Sequence, residues 1–487
     1  MKYSLAAGLA VASAIGGAMI ASVLVVAGPL NPPAGAVSST YKTLSEVEPR
    51  TAISAANTPG DADSVYRITQ PGSYYLTSDV LAPAGKSAIE IASASAGEVA
   101  IDLNGFELRG TGTHYGVASN VGSRVWIRNG AIRNFGQSAV IAEGLHVLIE
   151  QLHVWDCGNP GIHAYGAGIV RDCDVESCGT AFDINGVFNI ERCNAINNSG
   201  YGILAVGTNL IVDCAAVSND AAGFACGATS VLRGCRSMGN SQEGISVGDG
   251  STLIDCESTD NLVGVVAGDQ VELSGVVCRS NVVGISAQAN CTLRACTTIE
   301  SSSAGVLLGA RATVIDCVSS LNVGNSGDGF KAGANSTFTN CTAVGNSKDG
   351  FEAADGSAFT GCTSNDNGGR GIFAFNGAHI TGCMTRNNQE DGIYVNFSCV
   401  VSGNNCNGDG AAAGNHGAIR VIGQANRIDS NNISYADRGL MISSGGNAVV
   451  RNSVKGCTVN FDIIGGNDVG PIGSAATATS PWANIQY

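Results

Sequence analysis

The sequence repeats itself about every 21 residues between positions 161 and 383. A typical unit begins with Gly202, Ile203 and Leu204, and the next begins with Gly223 and Phe224. Successive units open at Gly161, Ala181, Gly202, Gly223, Gly244, Gly264, Gly284, Gly305, Gly329, Gly350, Gly371 and Gly392. A period of this length, made of short apolar runs between Gly, Asn, Ser and Asp, predicts a solenoid in which each unit is one coil.

The residue chemistry favours coils made of strands. A coil of two helices needs roughly 30 residues or more and good helix formers, whereas these units are rich in Gly, Asn, Ser, Thr, Val and Ile. The residues one and three positions after the opening glycine are mostly apolar, as in Ile245 and Val247 or Ile393 and Val395. This alternation predicts a strand with one inward and one outward face.

A second apolar column lies nine residues after the opening glycine, and a cysteine column follows three residues later. Its members are Cys173, Cys193, Cys214, Cys235, Cys256, Cys296, Cys317, Cys341, Cys362 and Cys383. An odd separation cannot keep both columns inside on one straight strand, so we expect a bend between them and three short strands per coil. Equivalent residues of stacked parallel strands lie ~4.8 Å apart, whereas a disulfide needs Cβ atoms ~3.8 Å apart. The column is therefore predicted to be a ladder of buried thiols.

Asparagine follows each cysteine after five residues. The column contains Asn198, Asn219, Asn240, Asn261, Asn281, Asn322, Asn346, Asn367 and Asn388, with Ser301 as the exception. Because asparagine tolerates left-handed backbone geometry and its amide both donates and accepts, we expect these residues to form turns and a stacked amide ladder.

Stacked Gly-Ile-x-Val strands, an inward cysteine column and an asparagine ladder resemble the right-handed parallel β-helix family, the pectate-lyase-like superfold. The resemblance covers roughly residues 65–465. It implies an all-β solenoid capped at both ends. Counting unit starts from Ala88 onward predicts about 16 coils of 20–25 residues, each with the three short strands inferred above. The superfold carries lyases, hydrolases, epimerases, tailspikes, adhesins and binding proteins, so fold alone does not assign an activity.

The first 36 residues differ from the rest. Lys2 precedes an apolar run over residues 5–26, and small residues end the segment at Ala36. This pattern is typical of an export signal, although the run is long enough to span a membrane, and a cleaved signal is favoured over a retained anchor. Both alternatives place the coils outside the cytoplasm, as a secreted or cell-surface protein.

The remaining boundaries follow from where the repeat is regular. We expect a linker over residues 37–63, an N-terminal cap over 64–87, irregular coils over 88–160, regular coils over 161–392 and looser coils over 393–470. Residues 471–487 are expected to form a tail in which Trp482 covers the C-terminal end.

Net charge limits the classes of partner. A formal charge of −15 argues against nucleic acid and against an anionic membrane surface. The expected partner is a polysaccharide or a cell-surface glycan, and membrane contact is expected only through the N-terminal segment.

Several enzyme signatures of the superfold are missing from the sequence. Polygalacturonase-like hydrolases carry Asn-Thr-Asp, Asp-Asp, Gly-His-Gly and Arg-Ile-Lys, pectate lyases carry Arg-x-Pro-x-x-Arg, and alginate epimerases carry Asp-Pro-His-Glu. None of these occurs here. Whether the protein is an enzyme stays open at this point.

The candidate ligand-binding surface lies in the second half of the repeat. The residue before each opening glycine and the residue two after it are both expected to point outward, in two parallel columns. The first column is Asp328, Asp349, Arg370, Asp391, His416 and Arg438, and the second is Lys331, Glu352, Phe373 and Tyr394, with Phe375 and Asn396 two residues further along their strands. Outward aromatic rings beside charged groups are typical of a shallow groove that stacks sugar rings.

Three carboxylates of these columns are candidate catalytic residues, namely Asp328, Asp349 and Asp391. Adjacent coils would hold Asp328 and Asp349 about 5 Å apart, close to the carboxyl spacing of a retaining glycosidase. A solvated salt-bridge ladder, or binding without catalysis, is favoured over catalysis.

No metal or cofactor motif is recognised. The six histidines do not converge on a third ligand, and Ca²⁺ binding is left open. Cys157 and Cys178 precede successive unit starts and are candidates for a disulfide.

Three functions remain possible for this sequence. They are a carbohydrate-binding or surface protein, a polysaccharide lyase or glycoside hydrolase acting through the same surface, and a purely structural or adhesive protein.

Overall fold

The computed structural model describes residues 48–92, 97–112, 114–119, 124–158, 160–411 and 415–487. The chain divides into two units, Met1–Pro49 and Arg50–Tyr487, and every described strand belongs to the second. The predicted signal or anchor over residues 1–36 lies outside the described residues. Within the described ranges, no helix is long and apolar enough to cross a membrane.

The second unit is a right-handed parallel β-solenoid, which confirms the predicted fold class. Its strands form three stacked columns, here called the first, second and third sheets in the order in which the chain meets them within a coil. Each strand pairs in parallel with the equivalent strand of the next coil, as Phe351–Ala353 does with Ile372–Ala374.

The first sheet contains Ser64–Ile68, Ser87–Ile91, Val117–Ser119, Val140–Trp155, Ile162–Arg171, Phe182–Glu191, Ile203–Val206, Phe224–Cys226, Glu243–Val247, Val263–Ala267, Val283–Ala287, Val306–Leu308, Phe330–Ala332, Phe351–Ala353, Ile372–Ala374, Ile393–Val395, Gly417–Val421, Arg438–Ile442 and Val459–Ile463. The second contains Thr51–Ala52, Gly72–Tyr75, Glu98–Asp102, Arg124–Arg133, Leu210–Val212, Val231–Arg233, Thr252–Ile254, Glu272–Ser274, Thr292–Arg294, Thr313–Ile315, Thr337–Thr339, Ala358–Thr360, His379–Thr381, Val400–Ser402, Arg427–Asp429, Ala448–Val450 and Asp468–Val469. The third contains Val80–Ala82, Glu107–Gly110, Asp174–Glu176, Asn194–Ile196, Ala215–Val217, Arg236–Met238, Glu257–Thr259, Val277–Arg279, Thr297–Ile299, Val318–Ser320, Thr342–Val344, Thr363–Asn365, Met384–Arg386, Asn405–Asn407, Asn432–Ser434, Ser453–Lys455 and Asn484–Gln486, which also pairs with Ile472–Gly473.

The solenoid has about 19 coils, slightly more than the 16 expected. The difference arises at the two ends. Residues expected to form the N-terminal cap contain Ser64–Ile68, Gly72–Tyr75 and Val80–Ala82, which pair in parallel with the next coil. At the other end, Val459–Ile463 continues the first sheet after Arg438–Ile442.

Single left-handed residues make the sharp bends of each coil. The residue directly before each column cysteine has positive φ, as at Asp213 (φ 53) and Asp255 (φ 52). The residue before each ladder asparagine also has positive φ, as at Asn197 (φ 53) and Ser218 (φ 54). The prediction that the ladder asparagines themselves take the left-handed turn is therefore wrong, because that conformation falls on the preceding residue and leaves the asparagine amide pointing inward.

The interior contains the predicted columns. Of the 18 cysteines, all are buried except Cys457, which is half-buried. Two pairs of stacked rings fill the core of adjacent coils, with centroids 5.0 Å apart for Phe330 and Phe351 and 4.9 Å apart for Phe338 and Phe359. Cys157 and Cys178 are free buried thiols here, so the bond between them stays a prediction.

Long strands occur between residues 124 and 191, in the last coils expected to be irregular and in the first two expected to be regular. Val140–Trp155 runs through all three sheets without a turn, and Ile162–Arg171 and Phe182–Glu191 each pass through two. At the C-terminal end, Asn484 is buried while Trp482 is 51% exposed. The Trp482 ring lies against the Arg451 guanidinium, whose carbon is 5.4 Å from the ring centroid, so its predicted role in covering the C-terminal end stays a prediction.

Candidate functional site

The second of the two predicted outward columns, which contains Phe373 and Tyr394, is a vertical column on the outer face of the first sheet. In register, Lys331 pairs with Glu352, Glu352 with Phe373, and Phe373 with Tyr394. Lys331 is exposed and the other three are half-buried, as expected for residues between two inward positions of a strand. The structure therefore brings these four predicted side chains together.

The column continues to a residue that sequence analysis missed. Tyr394 pairs with Arg420, and Ile393 pairs with Ile419. Ile393 and Ile419 are 26 residues apart, whereas Gly392 and Gly417 are 25 residues apart. The equivalent of Gly392 in the next coil is therefore Ala418, because the chain inserts extra residues before this strand. Counting from Gly417 therefore misaligns this coil by one position. Only the strand register identifies Arg420.

The expected outward orientation of the first column is wrong for its carboxylates. Asp328, Asp349 and Asp391 are only 1%, 5% and 1% exposed. Each lies in the turn before a strand, and its carboxylate turns toward the backbone of the next coil. Asp328 accepts the N–H of Asp349 at 3.1 Å, and Asp349 accepts the N–H of Arg370 at 2.6 Å.

The same pattern corrects the position of His416. The carboxylate of Asp391 accepts the N–H of Gly417 at 2.7 Å, and Gly417 pairs with Arg438. Gly417 therefore occupies the place in the first column that the glycine spacing assigned to His416. The His416 ring lies beside the column instead, with Nδ1 3.9 Å from the Asp391 carboxylate.

Arg370 lies at the centre of the site. Its guanidinium carbon is 4.3 Å from the centroid of the Phe373 ring and 4.6 Å from that of Tyr394. Guanidinium nitrogens also lie 3.7 Å from Asp349 and 4.0 Å from Asp391. Because Nε has no hydrogen-bond partner, this side chain is held by ring stacking and by charge.

Three aromatic rings surround Arg370. Phe373 and Tyr394 meet edge to face with centroids 5.1 Å apart, and Phe375 lies 4.6 Å from Phe373. Arg420 adds a second guanidinium over Tyr394, 5.5 Å from its centroid. Here we call Arg370, Phe373, Phe375, Tyr394 and Arg420 the aromatic–arginine patch.

Several polar atoms of this region have no hydrogen-bond partner within the described part of the chain. They are Nε of Arg370, Nε of Arg420, Oδ1 of Asn396, Nδ1 of His416 and Nε of Arg438. Buried polar groups of folded proteins are nearly always paired. Three of these atoms lie within 4 Å of a carboxylate oxygen, namely Arg370 Nε, His416 Nδ1 and Arg438 Nε. Arg420 Nε and Asn396 Oδ1 are therefore the two that a polar ligand would have to satisfy.

Burial changes the acid–base properties of the carboxylates. It raises the pKa of Asp349 to about 6, and it also raises the pKa of Asp328 and of Asp391 above the ordinary range. Carboxylate oxygens of Asp328, Asp349 and Glu352 lie within 4.8 Å of one another. The predicted proximity of Asp328 and Asp349 is therefore present, but both are covered and engaged with backbone N–H groups. A sugar could not reach Asp328 in this arrangement.

The same three carboxylates have the donor type that Ca²⁺ prefers. Each of the three already lies beside a cationic side chain, and for Asp349 that is Arg370, 3.7 Å away. Lys331 donates to both Glu352 oxygens at 2.9 Å, and Nζ of Lys348 is 3.8 Å from Asp328. An all-carboxylate cation site therefore fits these residues poorly.

Comparison with known proteins identifies the architecture. The profile of the family described as "Right handed beta helix region" matches residues 83–211 and 281–414, a little over half of the chain. No curated protein matches the chain by sequence.

Solved structures with a similar arrangement include three proteins. The Dettilon tailspike protein gp208 is 15% identical, with a TM-score of 0.33, and the match covers 67% of this chain and 61% of the tailspike. The mannuronan C-5 epimerase AlgE6 A-module of Azotobacter vinelandii is 12% identical, with a TM-score of 0.23 and coverage of 86% and 91%. Pectate lyase Pel9A is 16% identical, with a TM-score of 0.18 and coverage of 71% and 74%. The chain thus spans less than two thirds of the tailspike, and these likenesses concern the fold alone.

Proposed function

The chain belongs to the family of proteins with a right-handed β-helix region, and from this premise we propose that it binds a polysaccharide or cell-surface glycan through the aromatic–arginine patch. The observation that carries the proposal is the pair of half-buried rings, Phe373 and Tyr394, held between Arg370 and Arg420 on the outer face of the first sheet.

The geometry suits a sugar ring. The apolar C–H face of a pyranose stacks on an aromatic ring, while its hydroxyls need donors and acceptors at the edge of that ring. The guanidinium groups of Arg370 and Arg420 supply donors beside Tyr394. Oδ1 of Asn396 supplies an acceptor that lacks a partner within the described residues.

The register of the β-helix extends this surface along the stack. Lys331 and Glu352 continue the column below Phe373, so a chain of sugars lying along the column would meet a different side chain about every 4.8 Å. A linear polysaccharide is therefore proposed as the ligand, in preference to a free monosaccharide.

Export is part of this proposal, because glycans of this kind lie outside the cytoplasm. It is supported by the basic residue, apolar run and small-residue ending of residues 1–36. Mass spectrometry of the mature N-terminus checks this part by showing either cleavage after Ala36 or retention of the apolar run.

The proposal is tested by a panel of immobilised polysaccharides, with and without Ca²⁺, against the wild-type protein and the Phe373→Ala/Tyr394→Ala variant. We expect saturable binding to at least one polysaccharide and a loss of affinity of about tenfold or more in the variant. Each ring contact is worth about 0.5–1.5 kcal/mol, and 1.4 kcal/mol corresponds to a factor of ten.

A matched control is Tyr165→Ala, which removes a ring that is 58% exposed and lies on the coils before the patch. This variant should bind as the wild type does. Equal losses in both variants, or no saturable binding to any polysaccharide, would contradict the proposal.

Catalysis is a second candidate, favoured by one observation. The carboxyl of Asp349 has a pKa of about 6 and lies 3.7 Å from the Arg370 guanidinium, which is a suitable environment for an acid–base group near neutral pH. New reducing ends or unsaturated uronates in the same panel, abolished by Asp349→Ala, would establish a hydrolase or lyase. Binding without product formation would leave the binding function alone.

A further inference from the structure

A concave region lies on the early coils, far along the sequence from the aromatic–arginine patch. It is a cavity of about 620 Å³ whose lining includes Glu98, Arg124, Trp126, Leu145, His146 and Leu148. None of the patch residues lines it. Its floor is the outer face of the second sheet, where Trp126 pairs in register with Leu148 and Leu148 pairs with Ile169.

A β-bulge builds one wall of this cavity. Between the strands Val140–Trp155 and Ile162–Arg171, Gly144 pairs with Gly166 and Val147 pairs with Gly168. Leu145 and His146 therefore oppose a single residue, Ala167, and the extra residue pushes this segment outward. Leu145 is 72% exposed as a result.

The strand Ile162–Arg171 can pack closely against the bulge because its residue at this point, Gly168, has no side chain. A Cβ atom on Gly168 would lie 1.9 Å from the carbonyl oxygen of Val147. The bulge and the glycine opposite it therefore belong together, and they set the depth of the cavity beside Trp126.

The floor is apolar and unusually open for such side chains. Trp126 is 40% exposed, and Leu148 and Ile169 are half-buried beside it. Unlike the aromatic–arginine patch, this floor places the aliphatic side chains of Leu148 and Ile169 directly beside the ring, and they offer no hydrogen-bond partners to the hydroxyls of a sugar, which is costly. The floor therefore favours a ligand with an apolar body.

The polar groups lie together at the rim. Arg124 pairs in register with Glu98 on one side and with His146 on the other. Among the described residues Arg124 forms no ion pair, although the protein carries a net charge of −15. Because Glu98 lies on the far side of Arg124, an anionic group can approach Arg124 from the side of His146. A guanidinium without a partner is suited to bind a carboxylate through two parallel hydrogen bonds.

We propose that this cavity binds an apolar carboxylic acid, with the apolar body against Trp126, Leu145 and Leu148 and the carboxylate on Arg124 beside His146. The body can be a planar aromatic ring or a short aliphatic chain. The site is independent of the glycan function, because it shares no residue with the aromatic–arginine patch.

The fluorescence of Trp126 provides a direct test. The protein has three tryptophans, so the Trp155→Phe/Trp482→Phe variant leaves Trp126 as the sole indole. Titration with cinnamate and with octanoate should give a saturable change in its emission for at least one of the two acids. A response to cinnamate alone indicates an aromatic ligand, and a response to octanoate indicates an aliphatic one.

Three comparisons separate the carboxylate contact from general hydrophobic binding. Cinnamyl alcohol should bind about tenfold or more weakly than cinnamate, octanol should bind correspondingly more weakly than octanoate, and Arg124→Gln should weaken the acids by a similar factor. The control Arg279→Gln removes another exposed arginine, on the third sheet, and should leave the affinity for both acids unchanged. The Phe373→Ala/Tyr394→Ala variant should retain full response, which distinguishes this site from the glycan patch.

The proposal fails if neither acid changes the emission at millimolar concentration, or if the alcohols bind as tightly as the acids. It fails equally if galacturonate binds as well as the apolar acids, because the cavity would then be a sugar site. Arg124 is exposed, so loss of folding is not expected in Arg124→Gln, and circular dichroism of the variant checks this.

Discussion

Asp409 occupies the last position of the asparagine ladder, where the preceding coils carry a neutral amide or, at Ser301, a hydroxyl. Its Oδ1 accepts from the backbone N–H of Asn388 at 3.0 Å and from Asn388 Nδ2 at 2.8 Å. Its Oδ2 accepts from Thr385 Oγ1 at 2.7 Å. The residue is only 1% exposed, and burial raises its pKa to about 6.

The Asp409→Asn variant should be more stable than the wild type at neutral pH. Burial raises the pKa of the Asp409 carboxyl to about 6 in the folded state, whereas its ordinary value, which applies to the unfolded chain, is 3.8. Folded protein therefore binds more protons between these values, and wild-type stability falls as the pH rises from about 4 to 6. An amide does not titrate, so the advantage of the variant should grow over this window to about 2–3 kcal/mol.

Urea unfolding followed by circular dichroism at pH 4 and pH 7.5 measures this effect. The control is Asp220→Asn, which changes an exposed carboxyl and should shift the midpoints little. A variant less stable than the wild type at pH 7.5 would mean that the hydrogen bonds to the carboxylate outweigh the cost of burying its charge.

At the scale of the element, the asparagine ladder joins each coil to the next through side chains. Asn367 Nδ2 donates to Asn388 Oδ1 at 2.9 Å and to the Ala343 carbonyl at 3.3 Å. Its Oδ1 accepts from the backbone N–H and the Nδ2 of Asn346, at 3.0 and 2.9 Å. One amide thus satisfies buried groups on both neighbouring coils.

The Asn367→Ala variant should therefore be destabilised by about 2–5 kcal/mol, because each buried group left without a partner costs about 1–3 kcal/mol. The matched control is Asn189→Ala, since Asn189 is exposed on the outer face of the second sheet. The loss of stability in Asn367→Ser should lie between the losses in Asn367→Ala and Asn189→Ala, because the chain itself carries a serine, Ser301, at one ladder position.

Differences in urea midpoint among these three variants give the measurement. If Asn367→Ala loses no more stability than Asn189→Ala, the ladder contributes nothing beyond the backbone hydrogen bonds of the sheets.

At the scale of the whole molecule, the solenoid of the second unit is built from contacts between neighbouring coils. Interior coils pair on both sides, as Val263–Ala267 does with Glu243–Val247 and Val283–Ala287. The last strand of the second sheet, Asp468–Val469, pairs among the described strands with Ala448–Val450 alone. In such a repeat architecture, stability is approximately a sum of coil and interface contributions.

Hydrogen exchange should consequently be graded along the stack. Amides of Asp468–Val469 and Asn484–Gln486 should open with a lower free energy than those of Val263–Ala267, by about 1.4 kcal/mol or more, which is a tenfold difference in protection. Native-state exchange read by mass spectrometry, normalised to unfolded-peptide rates, measures this. Equal protection at the end and in the middle would indicate that the unit opens only as a whole.

The sequence by itself determined the coil, its three strands, the inward cysteines and the outward column that contains Phe373 and Tyr394. Repetition makes this possible, because residues one period apart become vertical neighbours and the alternation within a strand assigns their faces. It could not determine the direction of Asp328, Asp349 and Asp391, since a turn residue points where its backbone dihedrals and the N–H groups of the next coil place it.

Tertiary structure alone also decided the register of Arg420 and the cavity beside Trp126. An insertion before Gly417 shifts the count by one residue, and only strand pairing reveals the shift. The cavity depends on a bulge at Leu145 and His146 opposite Gly168. Both features arise from the pairing of two strands, so neither is contained in the pattern of one.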